Sequence, residues 1–314
     1  MSHTVVVLAG GLSHERDVSI RSGRRVALAL RHAGHTVIES DLNGDLINLL
    51  SGVPSPVVFP LLHGGVGEDG ALREVLSLLH VPFVGSSAAA SRLAFDKPVA
   101  SRVVSQAGVR IPRQVALPHD IFRELGAAKL VSAIGTKLGF PLIVKPAKGG
   151  SALGVRRVDE VAALPSAMVG AYAYDPVALI ESFINGTEVA VTLLDSEQGR
   201  QALPAVEIRP ESGAYDYASR YTAGDTRFVT PADLDAETTA RVADAALRCA
   251  EALGLKDLSR VDMVVDVEAV PVFLEANVAP GMTETSLVPL AMEAAGLDLG
   301  TVCSQLVERA AARG

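Results

Sequence analysis

Asp262, Glu275 and Asn277 lie within two apolar runs of the segment 260–277, RVDMVVDVEAVPVFLEAN. Its two apolar runs predict a β-hairpin with the turn centred on residues 268–269, so that Asp262 lies directly opposite Glu275 and Asn277 shares their face. Directly opposed carboxylates destabilise a sheet unless a cation neutralises them. This ligand set suits Mg²⁺ held together with substrate phosphates, and the structural alternative is a solvated hairpin face with scattered acids.

Arg260 lies on the same face of this hairpin by the same parity. Its guanidinium could neutralise the two acids as a structural partner. It could equally donate hydrogen bonds to an oxyanion that develops during a reaction. The spacing leaves both roles open.

A glycine-rich turn, KPAKGGSALG at 145–154, follows a predicted strand that ends in Lys145. Backbone N–H groups freed by glycine can cradle a phosphate, and the lysine adds a positive charge. The turn is not the G-x-x-x-x-G-K-S/T loop of P-loop proteins. Many hairpin turns have similar sequences, so the motif alone is weak evidence for a phosphate site.

Two other glycine-containing loops follow predicted strands. GGLSHER at 10–16 is not a G-x-G-x-x-G dinucleotide motif, and the position of Glu15 there is explained by a helix N-terminus. HGGVGEDG at 63–70 has four glycines in eight residues, which lets the backbone approach a ligand closely. For His63 alone, a hydrogen-bonded loop histidine is the commoner role.

Three of the five tyrosines fall in the segment YDYASRY at 215–221. Tyr215 and Tyr217 alternate as in a packed strand, which is the structural alternative. Tyr221 breaks this alternation and follows Arg220, which favours a loop that closes over anions. Long segments without regular structure in a compact domain are often lids or disordered.

The elements that must position these residues change in type along the chain. Strands and helices alternate over residues 4–84, which predicts a parallel α/β sheet with ligand-binding loops at 9–16 and 63–70. Residues 86–108 are predicted to be helical. Residues 141–194 predict a small α+β domain with antiparallel strands. A polar segment at 209–231 precedes a predicted helix at 235–253, the hairpin and a helical C-terminal stretch.

Composition excludes several classes of protein. The 314 residues carry a net charge of −8, and 49% are hydrophobic, so the chain can build a core and does not favour nucleic acid as a partner. The two cysteines cannot form a disulfide framework or a zinc site. No apolar run reaches the ~18 residues of a membrane span, and no signal peptide is apparent. We therefore expect a cytoplasmic protein with no nucleic-acid or membrane partner.

In this order, the blocks resemble the D-alanine–D-alanine ligases of the ATP-grasp superfamily almost from end to end. The matching motifs are GGxSxERxVS, HGxxGEDG, DK at 96–97, VKP, YDYxxxY and RVD…EANxxPGMTxxSLVP. The resemblance implies an ATP-grasp fold of mixed α/β and α+β class. It comprises an N-terminal Rossmann-like parallel-sheet domain (1–94), a central lid domain (95–186) and a C-terminal catalytic domain (187–314).

The resemblance also implies roles for individual residues. Metal ligands for two Mg²⁺ (or Mn²⁺) ions are Asp262, Glu275 and Asn277. ATP contacts are Lys97, Lys145, Glu181, Phe183, Ile184, Glu188, Arg220, Phe273 and Asn277. Substrate contacts are Glu15, His63, Arg260, Gly281, Ser286 and Leu287. Catalytic residues are Glu15, Ser151, Tyr221, Arg260 and Gly281.

The implied activity is ATP-dependent ligation of two D-alanines through a D-alanyl phosphate, for peptidoglycan precursor synthesis, by a homodimer. Three positions depart from the family pattern: Arg220 replaces a usual lysine, Ala152 a usual serine and Gly149 a residue that is often glutamate. These departures bear on ATP affinity and rate more than on the type of reaction. Tyr221 favours an amine as the second substrate. A related ligase that joins D-Ala to another partner such as D-Ser is the alternative.

Overall fold

Strand–helix alternation at the start of the chain produces a three-stranded parallel sheet in the computed structural model, which describes residues 2–210 and 226–314. The parallel pairing is as predicted, and strand β1 (Thr4–Leu8) lies between β2 (Thr36–Ser40) and β3 (Val57–Pro60). The helices are α1 (Arg16–His32), α2 (Leu46–Gly52) and α3 (Ala71–Leu78). The loops after β1 and β3 therefore leave the carboxyl ends of paired strands and lie side by side.

The helical stretch predicted at 86–108 forms two helices rather than one. They are α4 (Ala88–Phe95) and α5 (Lys97–Gln106), and the chain turns between them at Asp96. The Asp96 carboxylate caps α5 by accepting a hydrogen bond from the backbone N–H of Val99, and Pro98 occupies the first turn. The break places Lys97 at the first position of α5.

A four-stranded antiparallel sheet follows in the order β4-β7-β5-β6. Its elements are β4 (Gln114–Pro118), α6 (His119–Leu125), α7 (Ala127–Leu138), β5 (Leu142–Pro146), β6 (Arg156–Val158), α8 (Leu164–Tyr172) and β7 (Val177–Ser182). The sheet and its helices enclose a hydrophobic core of their own. The sequence pattern does not predict β4, because this edge strand is only half-buried.

The last part of the chain builds a six-stranded sheet in the order β11-β10-β8-β12-β13, with β9 also paired to β8. The strands are β8 (Gly186–Ser196), β9 (Gly199–Ala202), β10 (Val206–Pro210), β11 (Thr226–Val229), β12 (Leu258–Asp266) and β13 (Pro271–Asn277). The helices are α9 (Ala236–Leu253), α10 (Leu287–Ala294) and α11 (Leu299–Ala311).

The N-terminal and C-terminal sheets share one hydrophobic core. Val5 and Phe59 of the first sheet and Ile208 of the last belong to the same buried cluster as the apolar faces of α1, α10 and α11. On its other side, the C-terminal sheet packs against α4, α5 and α9. Helix α5 therefore packs on β13, although the domain boundary expected at residue 95 assigns it to the central domain. That boundary stays a prediction.

No single helix in residues 2–210 and 226–314 is long and apolar enough to cross a membrane. Helices α10 and α11 pass a test of length and composition when they are taken together, with a bend of 106° between them.

Candidate active site

The hairpin of β12 and β13 brings Asp262 opposite Glu275 and Arg260 opposite Asn277, as predicted. The predicted turn centre is wrong, however. The turn is a three-residue loop, 267–269, in which Ala269 has a φ of 59° and the N–H of Asp266 donates to the carbonyl of Val270. This loop alone would set Asp262 against Leu274. A β-bulge shifts the register, so that Met263 pairs with Phe273 and Asp262 with Glu275.

The bulge also decides which side chains face the site. Phe273, expected to contact ATP, is instead fully buried in the core beneath the sheet. Leu274 and Glu275 both line the cavity above it. The expectation for Phe273 is therefore corrected, because one extra residue in β13 turns the following side chains to the other face.

Protein cations already neutralise the opposed carboxylates. Arg260 donates two hydrogen bonds to Asp262, from Nε to Oδ1 and from the terminal nitrogen to Oδ2, each 2.7 Å long. Lys97 Nζ lies 3.4 Å from Glu275 Oε2. Arg260 therefore acts as the structural partner of Asp262 in this structure. Because protein cations neutralise both carboxylates, their facing each other does not by itself require a bound metal ion.

The same three side chains nevertheless fit a hard divalent cation. Asp262, Glu275 and Asn277 present carboxylate and amide oxygens, and each carboxylate oxygen can accept more than one bond. Asn277 Oδ1 accepts a hydrogen bond of 2.8 Å from the backbone N–H of Ala279, which fixes the amide. Over the described ranges, no group of three or more His, Cys, Asp or Glu side chains is arranged to hold a metal. The candidate set in the described residues contains two carboxylates and one amide, and substrate phosphates or water could supply further ligands.

A cavity of about 610 Å³ lies between the central sheet and strands β8, β12 and β13. Lys145 Nζ lies 2.8 Å from Glu181 Oε2, and both side chains are buried. The second carboxylate oxygen, Glu181 Oε1, is buried and has no hydrogen-bond partner among residues 2–210 and 226–314, so it can accept a hydrogen bond from a ligand. Besides Lys97 and Lys145, four expected ATP contacts line the same cavity: Glu181, Phe183, Ile184 and Glu188.

The glycine-rich turn closes one end of this cavity in an unusual backbone conformation. Gly149 has a φ of 120°, and Ser151 and Ala152 have φ values of 53° and 55°, which non-glycine residues rarely adopt. Lys97 Nζ donates a hydrogen bond of 2.6 Å to the Gly149 carbonyl and so fixes the turn. The hydroxyl of Ser151 donates to the carboxylate of Glu15, which links the central sheet to the N-terminal one.

A second cavity, of about 710 Å³, lies between the N-terminal and C-terminal sheets. The expected substrate contacts all line it: Glu15, His63, Arg260, Gly281, Ser286 and Leu287. Glu15 immediately precedes α1 but its side chain does not cap that helix. Its carboxylate lies beside Gly64, where a Cβ would be 2.7 Å from Oε2, and the φ of 67° at Gly64 favours glycine at this position.

Both ring nitrogens of His63 are occupied by protein groups. Nδ1 lies 2.8 Å from the carbonyl of Ala279, so it carries the proton and donates it. Nε2 then accepts from the hydroxyl of Ser22, 3.3 Å away, and that hydroxyl accepts from the N–H of Met282. Burial lowers the pKa of His63, and the positive charge of Arg260 lowers it further, against the opposing effects of Glu15 and the Ala279 hydrogen bond. His63 therefore positions two loops as a neutral imidazole.

Glu68 is a buried acid of this cavity to which sequence reasoning assigned no role. Burial raises its pKa to about 8, and the negative charges of Glu15 and Glu275 raise it as well, although the Gly64 N–H and Lys97 oppose them. At neutral pH its carboxyl is mostly protonated and can donate a hydrogen bond. The available signal was its place in the glycine-rich segment 63–70, which was noted only for the backbone and His63.

The two cavities meet at one place. Lys97, Gly149, Gly150 and Glu275 line both of them. Asp262 lines the 610 Å³ cavity and Asn277 the 710 Å³ cavity, so the three candidate metal ligands span the junction. This arrangement can pass a negatively charged group from a ligand in one cavity to a ligand in the other. Two further expectations, Arg220 and Tyr221, lie outside the described residues.

Comparison with known proteins gives consistent matches over the whole length of the chain. The family model described as "D-ala D-ala ligase C-terminus" matches residues 103–308. A curated D-alanine–D-alanine ligase from Nitrosomonas europaea is 38% identical, over 97% of this chain and 96% of that protein. The crystal structure of the VanG D-Ala:D-Ser ligase from Enterococcus faecalis has a TM-score of 0.85 at 28% identity, with 99% of this chain and 100% of that chain covered. The D-alanine–D-alanine ligase of Bacillus anthracis complexed with ATP has a TM-score of 0.80 at 29% identity, with 99% and 98% covered.

Proposed function

Because this chain belongs to the D-alanine–D-alanine ligase family, we propose that it joins two D-alanines at the expense of ATP, for peptidoglycan precursors made in the cytoplasm. One observation carries this proposal. The cavity with the unpaired Glu181 acceptor and the cavity around Glu15 share the walls Lys97, Gly149 and Glu275. A phosphoryl group can therefore pass from a nucleotide to a carboxylate without leaving the protein.

ATP is assigned to the 610 Å³ cavity. Its adenine amino group would donate to Glu181 Oε1, whose burial without a partner is otherwise costly. Phe183, Ile184 and Glu188 would contact the base and ribose. Lys145 and Lys97 would neutralise the phosphates, together with Arg220 from the segment outside the described residues.

Two Mg²⁺ (or Mn²⁺) ions would be held by Asp262, Glu275 and Asn277, whose oxygens suit them, and would supply charge neutralisation at the transferring phosphate. Arg260 and Lys97 already balance these acids. The pairing of these acids with protein cations has two consequences. Asp262 has a counter-charge before an ion binds, and two hydrogen bonds hold the Arg260 guanidinium at the wall of the 710 Å³ cavity.

The first D-alanine would bind with its ammonium at Glu15, which Ser151 and Tyr221 would orient. Its carboxylate oxygen attacks the γ-phosphorus of ATP, the bond to the β-phosphate oxygen breaks, and D-alanyl phosphate and ADP form. His63 would hold the loops on either side of this substrate. A neutral His63 adds no second positive charge beside the ammonium.

The amine of the second D-alanine would then attack the acyl carbon, and phosphate would leave. Arg260 and the N–H of Gly281 would stabilise the tetrahedral oxyanion. Ser286 and Leu287, at the N-terminus of α10, would bind the second carboxylate. An acyl phosphate hydrolyses in water, so the Ser151–Glu15 contact between the sheets matters for shielding the intermediate.

Phosphate release tests the proposal directly. The protein is incubated with ATP, Mg²⁺ and D-Ala, D-Ser, D-lactate or L-Ala, alone and in pairs, and products are identified by mass spectrometry. We expect D-alanyl-D-alanine from D-Ala alone. Lack of phosphate release with every D-amino acid would reject the proposal. The likeness to a D-Ala:D-Ser ligase favours D-Ala plus D-Ser as the second candidate, which a preference for the mixed pair would establish.

The proposed assembly is a homodimer, by analogy with the family. Sedimentation equilibrium of the full chain at micromolar concentration distinguishes a dimer from the 32.7 kDa monomer. A monomer that retains full specific activity would reject this part of the proposal.

A further inference from the structure

We propose that Arg21 binds the carboxylate of the second amino acid and so helps to set the affinity of the acceptor site. This inference rests on the proposed function, because it concerns the substrate whose amine attacks the acyl phosphate. Neither the family resemblance nor the motifs single out this residue.

Helix α1 forms one wall of the acceptor site. Val18 lies 3.9 Å from the place that a Cβ on Gly281 would occupy. Ser22 accepts a hydrogen bond of 3.0 Å from the N–H of Met282, and Arg25 donates to the carbonyls of Met282 and Thr283. Residues three and four apart on a helix share a face. Arg21, three residues after Val18, therefore lies on the flank that carries the 281–286 loop, and it lines the 710 Å³ cavity.

Arg21 and Arg25 are used differently. The guanidinium of Arg25 is bonded to two backbone carbonyls and holds the loop in place. Across the described part of the chain, Arg21 has no hydrogen bond within 3.5 Å and no salt bridge within 4.0 Å, and it is exposed to solvent. Its planar fork of N–H donors can therefore receive a carboxylate with two parallel bonds.

The donors of the 281–286 loop are neutral, and Lys97, a cation of the same cavity, lies 3.4 Å from the carboxylate of Glu275. The Ser286 hydroxyl lies 2.8 Å from Thr283 Oγ1 and accepts from the N–H of Thr283, so it is tied to its own loop. The N-terminus of α10 contributes a partial positive charge only. Arg260, the other guanidinium of this cavity, is bonded to Asp262. A carboxylate bound at Ser286 would thus gain its full counter-charge from Arg21.

Glu284 supplies an opposing charge. It lines the same cavity in the loop that carries Ser286, and its side chain is exposed. A negative charge at this position repels a substrate carboxylate that Arg21 attracts. We therefore expect removal of the Arg21 charge to weaken binding of the second amino acid and removal of the Glu284 charge to strengthen it. A purely structural role of these side chains would not produce effects of opposite sign.

The test is steady-state kinetics of Arg21→Gln with a matched control. Hydroxylamine traps an acyl phosphate as a hydroxamate, so this assay at low D-Ala reports the first half-reaction without the acceptor site. We expect R21Q to raise the KM for the second D-Ala about three- to tenfold, the size of one partly exposed charge interaction. Hydroxamate formation and kcat at saturating D-Ala should stay within about twofold of the unaltered enzyme.

Control variants make the result specific. Arg24→Gln removes an exposed arginine of the same helix that does not line the cavity, and it should leave both KM values unchanged. Arg21→Lys should recover part of the affinity, and Glu284→Gln should lower the KM for the second D-Ala. The difference between R21Q and the unaltered enzyme should shrink at high salt.

Two outcomes would overturn the inference: an unchanged second KM in R21Q, or an equal loss in the hydroxamate reaction. Absence of phosphate release by the unaltered enzyme with any amino acid would instead reject the proposed function, and this inference with it.

Discussion

Glu68 gives the protein a pH-dependent stability whose size follows from its burial. The pKa of this carboxyl is raised from 4.5 to about 8, mainly by burial. Between these two values the unfolded chain releases the proton and the folded chain keeps it. The stabilisation is therefore fully present below about pH 4.5 and is lost as the pH rises through about 8. At about 1.36 kcal/mol per pKa unit, the difference amounts to at most about 5 kcal/mol of unfolding free energy.

Glu68→Gln tests this reasoning, because glutamine resembles the protonated carboxyl but does not titrate in this range. Urea unfolding of both proteins at pH 5.5, 7 and 8.5 gives the free energy of unfolding at each pH. We expect the variant to be more stable than the unaltered protein by only about 1 kcal/mol at pH 5.5, and this difference to grow by about 3 kcal/mol between pH 5.5 and pH 8.5. Glu293→Gln, which changes an exposed acid, should follow the unaltered protein at every pH. A difference between E68Q and the unaltered protein that does not vary with pH would refute the argument.

Three other changes have defined outcomes. Glu275→Gln should lower the rate of phosphate release by at least about a hundredfold while changing Tm by only a few degrees, because its charge acts at the junction of the cavities. Gly186→Ala should destabilise the chain by about 1–3 kcal/mol in urea unfolding, because its Cβ would lie 2.0 Å from the backbone oxygen of Val265. Tyr221→Phe should raise ATP hydrolysis without ligation or slow ligation, as measured by the ratio of phosphate to dipeptide.

Each of these changes has a result that would contradict it. An E275Q variant that unfolds yet keeps its specific activity would remove the case for a metal at the hairpin. Gly199→Ala is the control for Gly186→Ala. Gly199 has open space around its Cβ position but a φ of 107°, so its replacement measures backbone strain alone, whereas Gly186→Ala measures steric overlap. Gly186→Ala with unchanged stability would show that β8 and β12 shift apart at no cost. Unchanged kinetics in Y221F would show that the hydroxyl of Tyr221 has no catalytic role and that the side chain only packs.

Local pattern predicted the elements well and the exact geometry less well. The strands and helices of residues 4–84 were predictable because β1 and β3 are short, continuously buried apolar runs and the apolar residues of α1 recur at helical spacing. The hairpin was predictable for the same reason, and its key pair is confirmed. The bulge at Leu274 was not, because an extra residue leaves no mark on an apolar run. Phe273, which the resemblance names as an ATP contact, lies on the buried face of the sheet on the turn side of this bulge.

The cavity residues were predictable only where a motif drew attention to them. Glu68 and Arg21 were missed for different reasons. The altered acidity of Glu68 arises from burial among groups distant in sequence, such as Glu15 and Glu275. Arg21 is one of three arginines in a single α1 stretch, 21–25, and only the packing of that helix on the 281–286 loop distinguishes it from its neighbours.

The shared core of the first and last sheets has a consequence for synthesis of the chain. The apolar faces of β1, β3 and α1 are covered by α11, the last helix, which a bidentate bond from Arg313 to the buried Asp257 secures. A nascent chain emerging from the ribosome can complete the central sheet around its own core. The hydrophobic face of the N-terminal sheet stays exposed until residues 299–311 have been translated. Loss of α11 would therefore leave an exposed apolar surface on the first sheet, which chaperones bind and which promotes aggregation.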